Sequence, residues 1–558
     1  MRKRSLLLLA GAAAIVASLV VGPAATAGPE RVSAGTVVFI HDQEPPNLRP
    51  AWLDNNLYAT SLVLNNIWQG GQIRNNNGQW VTRLFTGPPK LVKKSPLTTS
   101  FEFSPKANWS DGTPVTCADW KATWQVWINP TNNPETRSGM EDIKSVNCAG
   151  KKGTVVFKKV FADWQTLLNE PGNNGVLQAK TVAANPDMNK AFENSVPVSS
   201  GPWKFQSWQK GVQITVVKNP QYTIAPMKLD RVVFRYITDT NARFQAMKAG
   251  EGQVMEPQAQ LQIADFAKDP NVVVKPIAGY SYEHLDIQFG PKGAASLKAP
   301  FVRQALITGI NRPQIAGALY QTIAPGLPTL QSNIFKTFEK GYVKAYAKYP
   351  FSQTKVISML KGKGCTGGPD KPSAGNDKIF SCPGVGKLSF RFSTTAGNQL
   401  RALTFEVVQR QLKSVGIELV PRFQPAGLLF GTTLPSSDWD IMMFTWVESP
   451  SSKITSKDKL ACGGEINYGN YCNRKATALL NRTATELDNA TRTKLLNQAE
   501  AMMVKDVPSI PMFVRPVFTI ASAKMKGLTT PTTLEGDFWN VVGLPVATVD
   551  RMLKTLDA

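Results

Sequence analysis

The chain has 558 residues, of which 42% are hydrophobic and 18% charged, with a formal net charge of +23. This length exceeds one ordinary hydrophobic core and the composition excludes an intrinsically disordered chain, so two or three lobes are expected. The basic residues are scattered, without a long run or an aromatic-interleaved stripe. We therefore expect no nucleic-acid partner and attribute the charge to an exported protein near an anionic cell surface.

The first 27 residues have the pattern of a signal peptide. The basic start "MRKR" precedes an apolar run over 6–21, and "ATA" at 25–27 is a small-residue cleavage site. The alternative, a membrane anchor, is disfavoured because the run is short for a bilayer span. No cysteine follows the run for lipid attachment. We expect an exported protein, periplasmic, extracellular or associated with the cell envelope, and a lipoprotein anchor is not supported.

Strands and helices then mix throughout the chain. Strands are predicted within 35–50, 100–105, 153–169 (running on into a helix), 201–222, 231–237, 280–289 and 417–423, and helices at 55–69, 119–128, 240–251 and 403–416. Lys210 and Gly211 form a predicted hairpin turn, and Gly250 ends a predicted helix. Because both βαβ units and hairpins occur, we predict an α/β protein with mixed sheets.

The segment "NWSDGTPVTCADW" (108–120) is turn chemistry followed by a helix start. Its Ser-Asp-Gly supplies a turn, and Thr116 with Asp119 is a capping box. Every polar residue here has a structural role, so a catalytic acid or metal corner is not needed. Three tryptophans on one face of the helix are assigned to the core rather than to a ligand platform: Trp120, Trp124 and Trp127.

Six cysteines in an exported chain predict disulfides. Several pairings are combinatorially open, and we favour the sequential one because each bond then closes a local loop. The expected bonds are Cys117–Cys148, Cys365–Cys382 and Cys462–Cys472. A zinc site is disfavoured, since no CxxC motif exists and histidine is nearly absent. No metal and no cofactor are expected.

The pattern of an enzyme is not evident. His41 and His284 are the only histidines, and neither a GxSxG elbow nor an HExxH helix is present. We expect His284 to be buried with its hydrogen bonds satisfied. A pair of glycosidase carboxylates from distant segments stays open as an alternative, but the favoured interpretation is a protein that is not an enzyme.

Eight motifs in order carry a family resemblance. They are "NWSDGTPVTCADW" (108–120), "SGPWKF" (200–205), "NPQY" (219–222), "FQAMKAGEGQV" (244–254), "FVRQALITGINR" (301–312), "VVQRQLKSVGIEL" (407–419), "DWDIMMFTW" (438–446) and "MMVKDVPSIPMF" (502–513). The chain thereby resembles the solute-binding proteins of ABC importers in family 5, which includes oligopeptide, dipeptide and nickel binders. Two histidines far apart in sequence make nickel an unfavourable ligand.

The resemblance implies the bilobed periplasmic-binding-protein fold of type II, peptide-binding subclass, with an extra α/β domain on the first lobe. Lobe I is expected at 28–75, 198–290 and 525–558, the extra domain at 76–197 and lobe II at 291–524. The implied function is the extracytoplasmic substrate-binding component of an ABC importer. Such a protein, expected here to be a monomer, captures a peptide or other small solute between its lobes and delivers it to a membrane permease and ATPase complex.

The resemblance also implies ligand-binding residues. Peptide-binding relatives carry an acid a few residues after the tryptophan of the "DWDI" segment, which takes the peptide amine; here Glu448 follows Trp446 by two positions. Either Glu448 performs this role with a small shift or amine recognition is absent. Trp446 is itself a candidate for the cleft wall, on which ligand side chains could stack. Further candidates for the cleft lie after the first strand, on the strand before Trp446 and on the interlobe strand: Asp54, Asn55, Phe444 and Tyr282.

Two functions of other classes stay open at this point. One is a secreted hydrolase that acts on envelope polymers. The other is a receptor or adhesion protein that uses the same fold without transport.

Overall fold

The computed structural model describes residues 35–50, 58–74, 79–132, 134, 137–169, 175–225, 227–446, 448 and 454–525. The predicted signal peptide 1–27, Asp54, Asn55 and nearly all of 525–558 lie outside the described residues. In the part of the chain that is described, no helix combines the length and the apolar character needed to cross a bilayer.

Strands and helices alternate along the chain. The strands are β1 (Thr36–His41), β2 (Gln72–Arg74), β3 (Trp80–Thr82), β4 (Lys90–Lys94), β5 (Leu97–Glu102), β6 (Ile143–Ala149), β7 (Lys152–Phe157), β8 (Trp203–Gln209), β9 (Gln213–Lys218), β10 (Arg231–Tyr236), β11 (Val254–Met255), β12 (Val272–Ile287), β13 (Ser381–Cys382), β14 (Gly386–Lys387), β15 (Ser389–Thr395), β16 (Glu418–Gln424), β17 (Ile441–Trp446) and β18 (Ser509–Ser522). The helices are α1 (Tyr58–Ile67), α2 (Cys117–Ile128), α3 (Trp164–Asn169), α4 (Ala179–Ala184), α5 (Thr240–Lys248), α6 (Ile263–Phe266), α7 (Pro300–Gly309), α8 (Arg312–Tyr320), α9 (Gln353–Gly362), α10 (Gln399–Lys413), α11 (Ala426–Leu428), α12 (Leu434–Ser436), α13 (Ile454–Leu460), α14 (Arg474–Thr483) and α15 (Asn489–Met503).

A large mixed sheet runs through the molecule. Its strand order is β16-β15-β17-β12-β18-β11-β1-β10-β9-β8. Pairing is parallel where β1 meets β10 and β11 and where β15 meets β16 and β17, and antiparallel elsewhere in the sheet. The predicted α/β architecture with mixed sheets is confirmed.

Two long antiparallel strands, β12 and β18, join the halves of this sheet. At one end β18 also pairs with β11, and at the other β12 also pairs with β17. Their register shifts between Ala278 and Tyr282, opposite the segment 514–516, which contains Pro516. A bulge bends and twists a strand pair locally, so the connection between the two halves has a bend at its centre. The predicted strand 280–289 corresponds to only the last part of β12.

Local signals predicted several elements correctly. Gly211 has a φ of +76° in the turn between β8 and β9, and Gly250 has the same φ after α5. Both positions lie in the left-handed region that glycine adopts at no steric cost. The helix predicted at 55–69 is seen as α1, whose described part starts at Tyr58.

The segment 108–120 is structural, as predicted. The Asp119 carboxylate accepts hydrogen bonds from the Thr116 backbone N–H at 2.7 Å and from the Ala179 backbone N–H at 2.8 Å, which fixes the start of α2 and ties it to α4. Trp120 and Trp127 are buried and Trp124 is half-buried in the same core. That core packs α2 against the antiparallel sheet β4-β5-β7-β6.

The hydrophobic residues form two principal cores. The first is continuous from the large sheet into the β4–β7 sheet, and includes Phe39, Trp203 and Phe101. The second packs α7 and α10 against the other end of the large sheet, includes Leu306 and Met443, and continues across β12 and β18 to β11, α5 and β1. Because the first core is shared, segment 76–197 packs as part of that half of the molecule. The domain boundaries stay a prediction.

A buried ion pair connects segment 76–197 to the second half. Arg492 on α15 donates to both carboxylate oxygens of Asp163, one of them at 2.6 Å, and the two side chains are only 6% and 8% exposed. The Arg492 Nε–H also donates to the Thr483 backbone oxygen at 2.9 Å. Alongside this pair, the Ala162 backbone N–H donates to the Ala484 oxygen at 2.7 Å. In this conformation these contacts join the two halves away from the long strands.

The disulfides join the cysteines in sequential order. Bonds are present between Cys117 and Cys148, Cys365 and Cys382, and Cys462 and Cys472. The predicted pairing is confirmed.

Candidate functional site

A pocket opens where β17 ends beside the central connection. Its accessible volume in this conformation is about 20 Å³, room for about one water molecule. Its walls come from β12, the end of β17, α13, the loop between α13 and α14, and the start of β18. The lining residues are Tyr282, Asp286, Asn333, Trp446, Lys459, Leu460, Ile466, Asn467, Tyr468, Gly469, Tyr471, Pro508 and Ser509.

Trp446 forms an aromatic wall of this pocket. Its ring is parallel to that of Tyr468, with centroids 6.3 Å apart and planes at 8°, and it stacks on His284 from another side at 5.9 Å. The register of β12 and β17 places Tyr282 opposite Trp446 and His284 opposite Phe444. Side chains two positions apart share a face of a strand, which explains why these rings meet.

Phe444 does not line the pocket. It is 3% exposed and packs edge-on against Trp446 at 5.0 Å, within a small core that includes Trp439. Its position supports the tryptophan from behind. Of the predicted site residues, the structure therefore brings Trp446 and Tyr282 to the pocket wall and keeps Phe444 beneath it.

Glu448 forms ion pairs with two lysines. Lys336 Nζ donates to one carboxylate oxygen at 2.7 Å, and Lys459 Nζ donates to the other. The side chains of Lys336, Lys459 and Glu448 are 0%, 4% and 10% exposed. Burial alone would raise the pKa of Glu448, but the two ammonium groups outweigh it and lower this pKa to about 2. The carboxylate is thus held ionised by the chain itself.

Tyr282 links these charges to the pocket. Lys459 Nζ donates to the Tyr282 hydroxyl oxygen at 3.0 Å, and this hydroxyl donates to the Asn333 backbone oxygen at 3.2 Å. Lys336 Nζ lies 4.2 Å from the centre of the Tyr282 ring, a cation–π geometry. Burial, followed by the negative charge of Glu448, raises the pKa of Tyr282 well above its ordinary value. Tyr282 is therefore neutral, with the hydroxyl proton in place.

His284 is buried as predicted, but the prediction that its hydrogen bonds are satisfied is wrong. Neither ring nitrogen has an aligned hydrogen bond among the described residues. Nε2 lies 3.3 Å from a carboxylate oxygen of Asp286, and the ring is enclosed by aromatic neighbours, with Phe444 at 4.4 Å. The histidine thus fills the space behind Trp446, next to an acid that faces the pocket.

Two further networks hold the scaffold around the pocket. On the other face of β12, the Glu283 carboxylate accepts from Arg401 at 2.9 Å and from the Thr445 hydroxyl at 2.5 Å, which fixes β12 to β17 and α10. Behind Asn333, the Glu500 carboxylate accepts from the Asn333 backbone N–H at 2.6 Å and from the Ser332 hydroxyl at 2.7 Å. Buried hydrogen-bond networks of this kind confer rigidity.

Sequence reasoning did not identify the lysine partners of Glu448, nor three residues of the pocket lining: Tyr468, Tyr471 and Asp286. Lys459 lies only 11 positions after Glu448, in "SKDKL", so a nearby internal partner for the acid could have been considered. Lys336 is 112 positions away and carries no local signal. Among the described residues, no group of three or more histidine, cysteine, aspartate or glutamate side chains could hold a metal ion.

Comparisons with known proteins agree with this architecture. Residues 90–464 match the family described as "Bacterial extracellular solute-binding proteins, family 5 Middle". The oligopeptide-binding protein AppA of Bacillus subtilis is 27% identical over 380 residues, which are 66% of this chain and 66% of the relative. The oligopeptide-binding protein OppA of Mycobacterium tuberculosis is 22% identical over 436 residues, covering 76% of this chain and 70% of the relative.

Solved structures share the fold. The periplasmic EDTA-binding protein EppA superimposes with a TM-score of 0.81 at 17% identity, over 92% of this chain and 96% of the other. AppA of Bacillus subtilis in complex with a nonapeptide gives 0.78 at 21% identity, over 92% and 99%. These similarities confirm the predicted fold class.

Proposed function

Since the chain belongs to the bacterial extracellular solute-binding proteins of family 5, we propose that it is the substrate-binding component of an ABC importer. Its solute is a peptide or a peptide-like molecule. The names of the relatives AppA and OppA, both oligopeptide-binding proteins, support this choice, as does the nonapeptide in the AppA structure.

The pocket beside Trp446 carries the proposal. It is concave and combines aromatic walls with a few polar groups, as small-molecule sites do. Trp446 and Tyr468 offer flat surfaces on which ligand side chains or peptide planes stack at low entropic cost. Among the described residues, Asn333 Oδ1 has no hydrogen-bond partner and so is an acceptor in the pocket lining.

Capture depends on closure of two lobes about β12 and β18. These strands carry the connection between the halves, and their register shift near Tyr282 is where a change of backbone angle is absorbed. A solute drives closure only through its greater affinity for the closed form. Shifting the population from 1:99 to 99:1 requires about 5.5 kcal/mol of differential binding free energy.

The remaining parts of the proposal follow from the same role. The protein acts outside the cytoplasm after removal of 1–27, as a monomer, and passes its solute to a permease and ATPase complex. It performs no chemistry on the solute. Asp54 and Asn55 contribute polar groups to the solute site from the first lobe. The chain passes from the first lobe to the second at 290/291 and returns to the first at 524/525.

The test is native mass spectrometry of the protein purified from its own host without refolding. Released and fragmented ligands should form a series of peptides. The Trp446→Ala variant should lose this series, because it removes the aromatic wall. Trp124→Ala is the matched control: this half-buried tryptophan donates to the Met140 oxygen in the β4–β7 region and does not line the pocket.

A discrete non-peptide ligand would retain the binding role and reject the peptide assignment. Equal peptide loading in the wild-type protein and in Trp446→Ala would place the peptide site elsewhere. Turnover of an added peptide or glycoside, abolished by a carboxylate substitution, would overturn the binding function itself.

A further inference from the structure

The carboxylate of Glu448 has no room for a ligand amine. Each of its oxygens accepts from a different buried lysine, Lys336 or Lys459, and the three side chains are at most 10% exposed. Glu448 and Lys336 do not line the pocket, whereas Lys459 does. A solute entering the pocket therefore meets an ammonium group first and the glutamate behind it.

Displacing either lysine would be costly. A ligand amine that reached Glu448 would leave a buried ammonium without its partner, and an uncompensated buried charge is strongly unfavourable. The lysines in effect occupy the place that an incoming amine would take. The chain supplies the cation for Glu448 from its own side chains.

Lys459 retains capacity to donate. An ammonium carries three N–H donors. One goes to Glu448 and one to the Tyr282 hydroxyl at 3.0 Å, and no acceptor among the described residues takes the third. The carboxylates of Glu448 and Asp286 both act on the charge of Lys459, so a solute is attracted by the unused donor and not by a missing negative charge. An anionic group at Lys459 would accept from that donor in a charge-assisted hydrogen bond.

One carboxylate does face the pocket. Asp286 lies on the same face of β12 as Tyr282, 3.3 Å from His284 Nε2, and its side chain is 17% exposed. Asp286 and Glu448 are different residues, so a substitution of Asp286 alone tests whether this carboxylate binds a cationic group of the solute.

Resting on the proposed solute-binding function, we propose that the pocket selects solutes through an anionic group, a carboxylate or similar oxyanion, held by Lys459. Glu448 is a positioning residue that fixes Lys459 and Lys336. A peptide is then recognised by its carboxyl group at this pocket and needs no free amine at Glu448.

The test compares four pools of the same random pentapeptides: unmodified, N-acetylated, C-amidated and blocked at both ends. Each pool is offered to the ligand-free wild-type protein, and bound peptides are quantified by native mass spectrometry. We expect the N-acetylated pool to bind as the unmodified one does. We expect the C-amidated pool to bind at least about tenfold more weakly, the effect of losing a charge-assisted hydrogen bond. Loss of binding on N-acetylation, with C-amidation harmless, would overturn the inference.

Variants separate the roles of the two residues. Lys459→Met should abolish the preference for carboxylate over amide, and Glu448→Gln should weaken it, because Lys459 then lacks the carboxylate that positions it. Lys475→Met, an exposed lysine on α14, is the matched control and should behave as the wild type. A preference that survives Lys459→Met would refute the assignment to this residue, and a preference for the free amine over its acetylated form that Asp286→Asn removes would place amine recognition at that acid.

A separate thermal-shift experiment distinguishes this inference from the proposed peptide function. Glutarate and citrate are titrated against the wild-type protein and Lys459→Met in a thermal-shift assay. Protection that requires Lys459, with no peptide pool bound, supports the anion site and rejects the peptide function. Failure of both the peptide pools and the carboxylates overturns both proposals.

Discussion

Asp163→Asn should destabilise the protein strongly, because it breaks the buried pair between segment 76–197 and α15. The substitution keeps the size of the side chain and removes its charge. Arg492 then stays in a site where it is 6% exposed, without the bidentate carboxylate. The Thr483 backbone oxygen still accepts from Nε, but it supplies no compensating charge.

The expected magnitude follows from burial and distance. Two unit charges about 4 Å apart attract by roughly 4 kcal/mol at an effective dielectric constant of about 20. Removing one partner of a buried pair costs about 3–5 kcal/mol, since the other charge remains uncompensated. We therefore expect Asp163→Asn and Arg492→Met each to lower the free energy of unfolding by about 3 kcal/mol. The double variant should lose about 2–3 kcal/mol less than the sum.

The assay is urea unfolding followed by tryptophan fluorescence for the wild type, the two single variants and the double variant. The control pair is Arg235–Glu251, at 3.2 Å but with both side chains about a third exposed. Its cycle should give a coupling free energy below about 1 kcal/mol, reduced further by 1 M salt. A coupling free energy for Asp163–Arg492 below about 0.5 kcal/mol, or one as sensitive to salt as the control, would refute the reasoning.

Two further predictions concern pH and a disulfide. Burial raises the pKa of Glu256 and of Glu500 to about 7. Between about pH 4.5 and 7 the folded state therefore keeps protons that the unfolded chain has released. The free energy of unfolding that these two groups contribute is lost as pH rises through this range. Glu256→Gln should flatten the fall in the free energy of unfolding measured over this range, and an unchanged profile would contradict it. Replacing Cys117 and Cys148 by alanine should lower stability by about 3.7 kcal/mol on the chain-entropy model for a loop of this length; urea unfolding checks this, and a loss below about 1 kcal/mol would contradict it.

Short-range features were predictable because their causes are local. The cap at Thr116 and Asp119, the turn at Gly211 and the sequential disulfides each involve residues close in the chain, so spacing and residue type suffice. The fold class came from the order of motifs, and the core positions of Trp120 and Trp127 from helical periodicity.

Long-range partners were not predictable in the same way. Lys336 meets Glu448 across 112 positions, and Asp163 meets Arg492 across 329. No periodicity links such residues, because their contact is created by the packing of whole elements. Trp446 and Tyr282 were predicted from the sequence and line the pocket, whereas Lys459, which lines it where Glu448 does not, was not predicted.

The Cys462–Cys472 bond closes the loop that carries Ile466, Asn467, Tyr468, Gly469 and Tyr471, which are one wall of the pocket. A disulfide bond across so short a loop restricts the conformations of the loop before any solute binds, so less conformational entropy is lost on binding. Formation of this one bond therefore prepares the wall for binding. Without it, Tyr468 would face Trp446 from a less constrained loop, and more ordering entropy would be lost when a solute binds.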